Sequence, residues 1–206
     1  MKAQIPDESN CVPYQPLEIL SLLETAPFRW WIAGGWSLDL FLGKQTRSHF
    51  DIDVAIARSD HLNAQSYLSK WDFWSTKRNN EGVIVLDRWQ IGHSLGIETP
   101  GVWARESQNA PWRFEFLFQE INDGIWTFRY DDSVQHSVDE IGGFSAASIP
   151  FLLPEISLLL KALRLRDVDE GDFQRVLPNL NQSQREQLSI DLGKIKPEHL
   201  WLSALV

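Results

Sequence analysis

The chain has 206 residues, 43% of them hydrophobic and 12% aromatic, enough for one large domain or one medium domain with a small appendage. Its formal charge of −9 argues against a protein that grips nucleic acid through clustered Lys and Arg. Its single cysteine, Cys11, excludes an intramolecular disulfide and a cysteine-based zinc cluster.

No apolar run is long enough to cross a membrane, and the N-terminus lacks the apolar stretch of a signal peptide, so a soluble, cytoplasmic protein is expected. The acidity suits a cationic small-molecule substrate and equally suits plain solubility. Most of the ten tryptophans read as core or rim aromatics.

Residues 1 to about 14 are polar and contain Pro6 and Pro13, which reads as a loose leader. Leu17, Ile19, Leu20, Leu22 and Leu23 fall at helical spacing, with Pro27 just past the end. Phe28 to Ala33 then reads as a buried strand, Gly34-Gly35 as a turn, Trp36 to Leu42 as a short helix stopped by Gly43, and Phe50 to Ala57 as a second strand. Residues 58–70 look helical, with Ser59 or Asp60 as cap, and strands are expected at 72–77 and 83–88.

The segment 91–111 is rich in Gly, Pro and polar residues and reads as a long active-site loop, in which Trp103 and Arg105 are of the types that stack on or hydrogen-bond a substrate. From Trp112 to Glu120 the pattern alternates, with Trp112, Phe114, Phe116 and Phe118 on one face and Arg113, Glu115, Leu117 and Gln119 on the other. A turn at Asn122-Asp123-Gly124 and a strand over Ile125 to Tyr130 complete a hairpin. Beyond about 150 the pattern turns helical, with helices expected over Pro154 to Leu165, 170–177 and 182–192. The expected organisation is therefore a domain over 1–150 and a small helical part over 151–206.

The chemistry concentrates between Gly34 and Ile56. Asp51 and Asp53 stand two apart at the start of an apolar run, so on a strand they project from one face. Two like charges so close call for a cation between them, and a divalent metal suits oxygen ligands. The glycine pair lets backbone come near a ligand, and its N–H groups with the following helix N-terminus suit a phosphate. A metal site beside a phosphate site is the apparatus of phosphoryl or nucleotidyl transfer. A two-metal site needs a third carboxylate from an adjacent strand, and Glu115, mid-strand opposite the aromatic face, is the best placed.

The order of glycine pair, short helix, Arg-x-His and Asp-x-Asp in GGWSLDLFLGKQTRSHFDIDVAI resembles the nucleotidyltransferase superfamily typified by DNA polymerase beta, within it the small enzymes that act on aminoglycosides and lincosamides. WRFEFLF at 112–118 and LLPEISLLLKALRLRDVDEGDF at 152–173 are similar to later parts of the same subgroup.

The resemblance implies an α+β nucleotidyltransferase fold, a mixed sheet flanked by helices with a small helical C-terminal part. It implies a catalytic and metal-binding trio of Asp51, Asp53 and Glu115 holding two Mg²⁺ ions. ATP or another nucleoside triphosphate would be met by Gly34, Gly35, Trp36, Ser37, Arg47 and Lys161, and a small acceptor would offer a hydroxyl. Arg47 reads as a phosphate clamp or a structural ion pair, and Lys161 as a phosphate contact or a solvated lysine. His49 reads as an orienter, Asp39 as a cap or ion-pair partner, and Asp172 as a further site candidate. Two other functions fit the same motif: an antitoxin-type enzyme that adenylylates a partner protein, and a nucleotide-binding module without turnover.

Overall fold

A computed structural model describes residues 5–7, 9–78 and 84–205. In chain order the elements are α1 (Pro16–Leu23), β1 (Trp30–Ala33), α2 (Gly34–Leu42), β2 (Asp53–Ala57), α3 (His61–Tyr67), β3 (Asp72–Arg78), β4 (Ile84–Arg88), β5 (Gly101–Arg105), β6 (Phe114–Asn122), β7 (Ile125–Thr127), β8 (Gln135–Ser137), β9 (Gly142–Phe144), β10 (Pro150–Leu152), α4 (Pro154–Arg164), α5 (Asp167–Val176) and α6 (Gln182–Ile195). Short 3-10 turns follow β2, α5 and α6. No described helix is long and apolar enough to cross a membrane.

The chain divides into two compact units, and the division is not the expected one near residue 150. One unit takes the chain up to Ile32 together with Ser48–Gln119; the other takes Ala33–Arg47 together with the chain from Glu120 onward. The C-terminal helices are thus joined in one unit by α2, from early in the sequence. Periodicity marks where a helix lies along the chain and says nothing of which distant helix it packs on.

In the first unit the strands run in the order β4-β3-β5-β6-β2-β1. The pairs β4/β3, β3/β5 and β5/β6 are antiparallel and β6/β2 is parallel, so the sheet is mixed as expected. β2 forms because Val54, Ala55 and Ile56 are fully buried, and Phe114, Phe116 and Phe118 line one face of β6 at 0–1% exposure. Burying each such ring contributes roughly 1.5–3 kcal/mol. α1 adds an amphipathic cover: Ile19 and Leu23 are buried, Leu17 faces out, and Glu18 accepts a hydrogen bond from the Gln15 N–H at its start.

Four expectations change here. The segment 91–111 is not all loop, since it contains β5, a central strand whose Gly101, Val102, Trp103 and Ala104 are all buried. Flanking Gly and Pro concealed it. Trp112 leaves the Phe114 row and packs with Trp74, Leu86 and Trp103 instead. The leader is pinned at its end: Val12 N–H donates to the Trp112 carbonyl, Trp112 N–H to Asn10 and Tyr14 N–H to Arg113, so 10–14 lie beside the start of β6. Finally, the second strand begins only at Asp53, which leaves Phe50, Asp51 and Ile52 in the approach. Position 83, expected to open β4, lies outside the described residues.

In the second unit α2 begins at Gly34 without an intervening turn, with Ala33 extended ahead of it. Gly34 carries φ +63° and Gly43 closes the helix at φ +68°, a left-handed C-cap that favours glycine. β7 returns from the end of β6 through Asp123 and Gly124, both at positive φ, the backbone of a two-residue type I′ hairpin. The expected strand over 125–130 is only three residues long, and β8, β9 and β10 lie in a stretch the sequence left unassigned. α4, α5 and α6 lie where helices were expected: α4 stops at Arg164, just before Leu165, α5 begins earlier than residue 170 and ends at Val176, and α6 runs on past 192 to Ile195. Ring stacking of Phe173 on Trp201, 4.2 Å between centroids, seals the C-terminal 3-10 turn onto α5.

Candidate active site

The carboxylates belong to the first unit. In the parallel β2/β6 pair Asp53 is the partner of Glu115, so both side chains stand on one face, as the alternation around Glu115 requires. The same row continues outward: Glu115 pairs with Trp103 on β5, and Trp103 pairs with Trp74 on β3. Asp53, Glu115, Trp103 and Trp74 therefore form a line across four strands, two carboxylates ending in a tryptophan wall.

Thr76, next on that face of β3, donates from Oγ1 to Glu115 Oε1 at 3.2 Å. Gly101 leaves the room: a Cβ there would collide with the Phe116 carbonyl oxygen and lie 3.2 Å from Glu115 Oε1. Asp51 sits two residues ahead of Asp53, off the strand, and Glu115 N–H anchors the approach by donating to the Ile52 carbonyl at 3.0 Å. His49 lies half-buried in the same approach. The charge of Asp51, after burial itself, helps push the Cys11 thiol up to about 12, so Cys11 is an inert neutral group.

The donor set is all oxygen on adjoining strands, which fits a hard divalent cation in ligand type and in the placement of Asp53 beside Glu115. Among the described residues no three His, Cys, Asp or Glu side chains are gathered into a group that could hold a metal ion. The fit extends to donor chemistry and strand position, not to a preformed cage.

The residues expected to meet phosphate lie in the second unit. Gly34 and Gly35 open α2, and only Gly34 has positive φ. Trp36 is buried, and so is Ser37. The Ser37 hydroxyl donates to the Gly34 carbonyl at 2.8 Å and meets the Ser157 hydroxyl of α4 at 2.7 Å, so it ties two helices together instead of facing a ligand. Asp39, inside α2, caps neither end of the helix but holds the loop that follows it, its Oδ1 accepting from the Thr46 N–H and hydroxyl.

Arg47 and Lys161 meet on one carboxylate, which neither residue's sequence context disclosed. Arg47 grips Asp172 with two bonds, Nε to Oδ1 at 2.8 Å and Nη2 to Oδ2 at 3.0 Å. Lys161, buried on α4, reaches Asp172 Oδ2 at 2.8 Å and Asp169 Oδ1 at 3.0 Å, so it is neither a solvated lysine nor a phosphate contact in this conformation.

Arg166 closes on Asp169 at 2.8 Å and Arg175 on Asp172 at 2.6 Å. Burial would push the Asp172 carboxyl up, but the hydrogen bonds from Arg47 and Lys161 and the lysine charge hold it well below the usual range. Asp169 is held below its ordinary value in the same way, burial being outweighed by Arg166 and Lys161. Thr76 escaped the sequence reading because only strand pairing brings it to Glu115, whereas Arg175 stands three residues after Asp172 on α5, a helical spacing the sequence offered.

The mixed sheet, with Asp-x-Asp at the head of β2 and a carboxylate beside it on β6, has the fold of solved antibiotic adenylyltransferases. Residues 16–90 match the family model of aminoglycoside-2''-adenylyltransferase. A lincosamide resistance protein of Staphylococcus haemolyticus is 47% identical over 46 residues, a stretch that spans 22% of this chain and 29% of that protein. Over most of the chain the likeness is structural. The antibiotic-resistance factor ANT(2'')-Ia superposes with a TM-score of 0.52 at 12% identity, covering 91% of this chain and 92% of that one. The lincosamide antibiotic adenylyltransferase LnuA, in its lincomycin-bound crystal structure, superposes with a TM-score of 0.52 at 18% identity, covering 81% and 98%.

Proposed function

We propose that the chain is a nucleotidyltransferase that moves a nucleoside monophosphate, AMP from ATP, onto a hydroxyl of an antibiotic of the aminoglycoside or lincosamide class, releasing pyrophosphate. The observation that carries the reading is the register pair Asp53–Glu115 on adjoining parallel strands, behind a sequence stretch that matches aminoglycoside and lincosamide resistance proteins. The acceptors follow from those relatives.

Glu115 takes the proton of the acceptor hydroxyl, whose oxygen attacks the α-phosphorus as the bond to pyrophosphate breaks. Thr76 holds the Glu115 carboxylate from the side. Asp51, Asp53 and Glu115 are the residues that would hold Mg²⁺, one or two ions, and the chemistry an ion supplies when bound is neutralisation of the charge that develops on phosphate oxygens. For the phosphates, the proposed contacts are the backbone N–H groups of Gly34 and Gly35 at the opening of α2 and the partly exposed Arg47.

The test is pyrophosphate release from ATP and Mg²⁺ across aminoglycosides, lincosamides and unrelated hydroxyl compounds. Acceptor-dependent release with an adenylylated antibiotic as product is expected. Release with none of these acceptors would overturn the reading.

A further inference from the structure

Thr76 and Glu115 do not stand on neighbouring strands. β3 and β6 lie on either side of β5, about 10 Å apart at the usual strand spacing, so a side chain on β5 ordinarily fills the space between them. Position 101 has none. Trp74 pairs with Trp103 and Ser75 with Val102, and the same register carried one residue further sets Thr76 level with Gly101, which pairs with Leu117 on β6. Glu115, opposite Trp103, therefore meets Thr76 only by reaching diagonally across β5. Its Oε1 lies 3.2 Å from where a Cβ of residue 101 would stand, and the Thr76 hydroxyl donates to that oxygen at 3.2 Å from the far side.

The chemistry of the three residues suits a fixed direction. A glutamate carries more side-chain freedom than an aspartate and must lose it to act from one place, whereas a β-branched threonine is already stiff at its first torsion. Thr76 sits on a strand laddered on both sides, to β4 and to β5, so its hydroxyl is a firm support. Both side chains are half-buried, where a hydrogen bond to a carboxylate is worth more than in open water. An aspartate at 115, one methylene shorter, would end over its own strand and fall short of Thr76.

We propose that Thr76 is a positioning residue for the carboxylate that takes the acceptor proton: through the gap left by Gly101 it holds Glu115 over β5, and this reach is why a glutamate serves at that place. Its role in the reaction rests on the nucleotidyltransferase reading, and the contact rests on the strand register and the distances.

The test is a double-mutant cycle of Thr76→Val, which keeps the shape and removes the hydroxyl, with Glu115→Asp, which shortens the reach, and Thr76→Ser beside it as the variant that keeps the hydroxyl. Gly101→Ala is unsuitable, since its Cβ would also meet the Phe116 carbonyl oxygen and disturb β5 itself. In the parent background Thr76→Val should lower kcat about tenfold and leave the KM for ATP and for the acceptor unchanged, with Thr76→Ser recovering most of the loss. In the Glu115→Asp background Thr76→Val should change kcat no further. Urea unfolding of the same four proteins reads the contact without activity: Thr76→Val should lower the midpoint in the parent background and leave it in place with Glu115→Asp.

A folded Thr76→Val protein with the parent's kcat, a Thr76→Ser protein as impaired as Thr76→Val, or losses in kcat that simply add across the cycle would each overturn the positioning role while the parent's own turnover leaves the proposed activity standing. A parent that modifies no acceptor overturns the activity and the role with it, even where the unfolding cycle shows the contact.

Discussion

Asp53 and Glu115 face each other across a parallel strand pair, and what each contributes is charge in a fixed place. Asp53→Asn keeps the shape and removes the charge, so transfer should fall on the order of a thousandfold, about 4 kcal/mol of transition-state stabilisation, while the melting temperature stays within a few degrees of the parent's. Near-parental turnover in a folded Asp53→Asn protein would rule out the carboxylate mechanism. The glycine pair divides differently from its symmetrical appearance. Gly34 alone is left-handed, at φ +63°, so Gly34→Ala should lower the urea midpoint by the equivalent of about 1–2 kcal/mol. Gly35→Ala, within the helix and outside that region of backbone space, should be neutral or stabilising. Equal midpoints for the two variants would mean that the start of α2 adopts another backbone in solution.

At the scale of elements, α4 and α5 are held by carboxylates whose folded values lie below their ordinary ones. The sign follows from linkage: a depressed carboxyl stabilises the fold at every pH above its unfolded value near 4, and that stability is lost as pH falls through the folded value. Denaturant midpoints should therefore be steady from neutrality to about pH 5 and fall steeply below about pH 4. Asp172→Asn should start lower, by roughly 3–5 kcal/mol since Lys161 and Arg47 lose their shared partner, and should then fall less steeply in acid. Parallel acid limbs in parent and variant would show that other groups drive the loss. The same elements show how far periodicity reaches. The helices after 150 were legible because apolar spacing survives any packing, whereas β5 was not, because a strand buried on both sides carries no alternation and Gly and Pro frame it.

For the whole molecule, the discontinuous second unit has a consequence for truncation. Cutting at residue 150 removes α4, on which α2 rests through the Ser37–Ser157 contact, and leaves the buried faces of Trp36 and Leu38 without their unit. A 1–150 fragment should lack a cooperative melt and bind hydrophobic dye. A sharp transition near the parent's temperature would instead make the sequence-based boundary at 150 a true domain limit.

Asp51, Asp53, Glu115 and the glycine pair were all legible from type and spacing, because a strand's two-residue period and the need to neutralise paired carboxylates act along the chain. The mixed sheet was expected only through the family resemblance that those residues carry, since spacing along the chain does not give strand direction. What only the tertiary structure decided lies across the chain: that Thr76 and Trp103 stand in line with Glu115, that Ser37 is spent on α4, that Trp112 turns to the tryptophan wall, and that Arg47 and Lys161 converge on Asp172. Local sequence sets the period and the backbone freedom of each element, but the partner of a buried polar or charged group is selected by which elements pack together, since the cost of leaving it unpaired is met wherever in the chain a complement comes within reach.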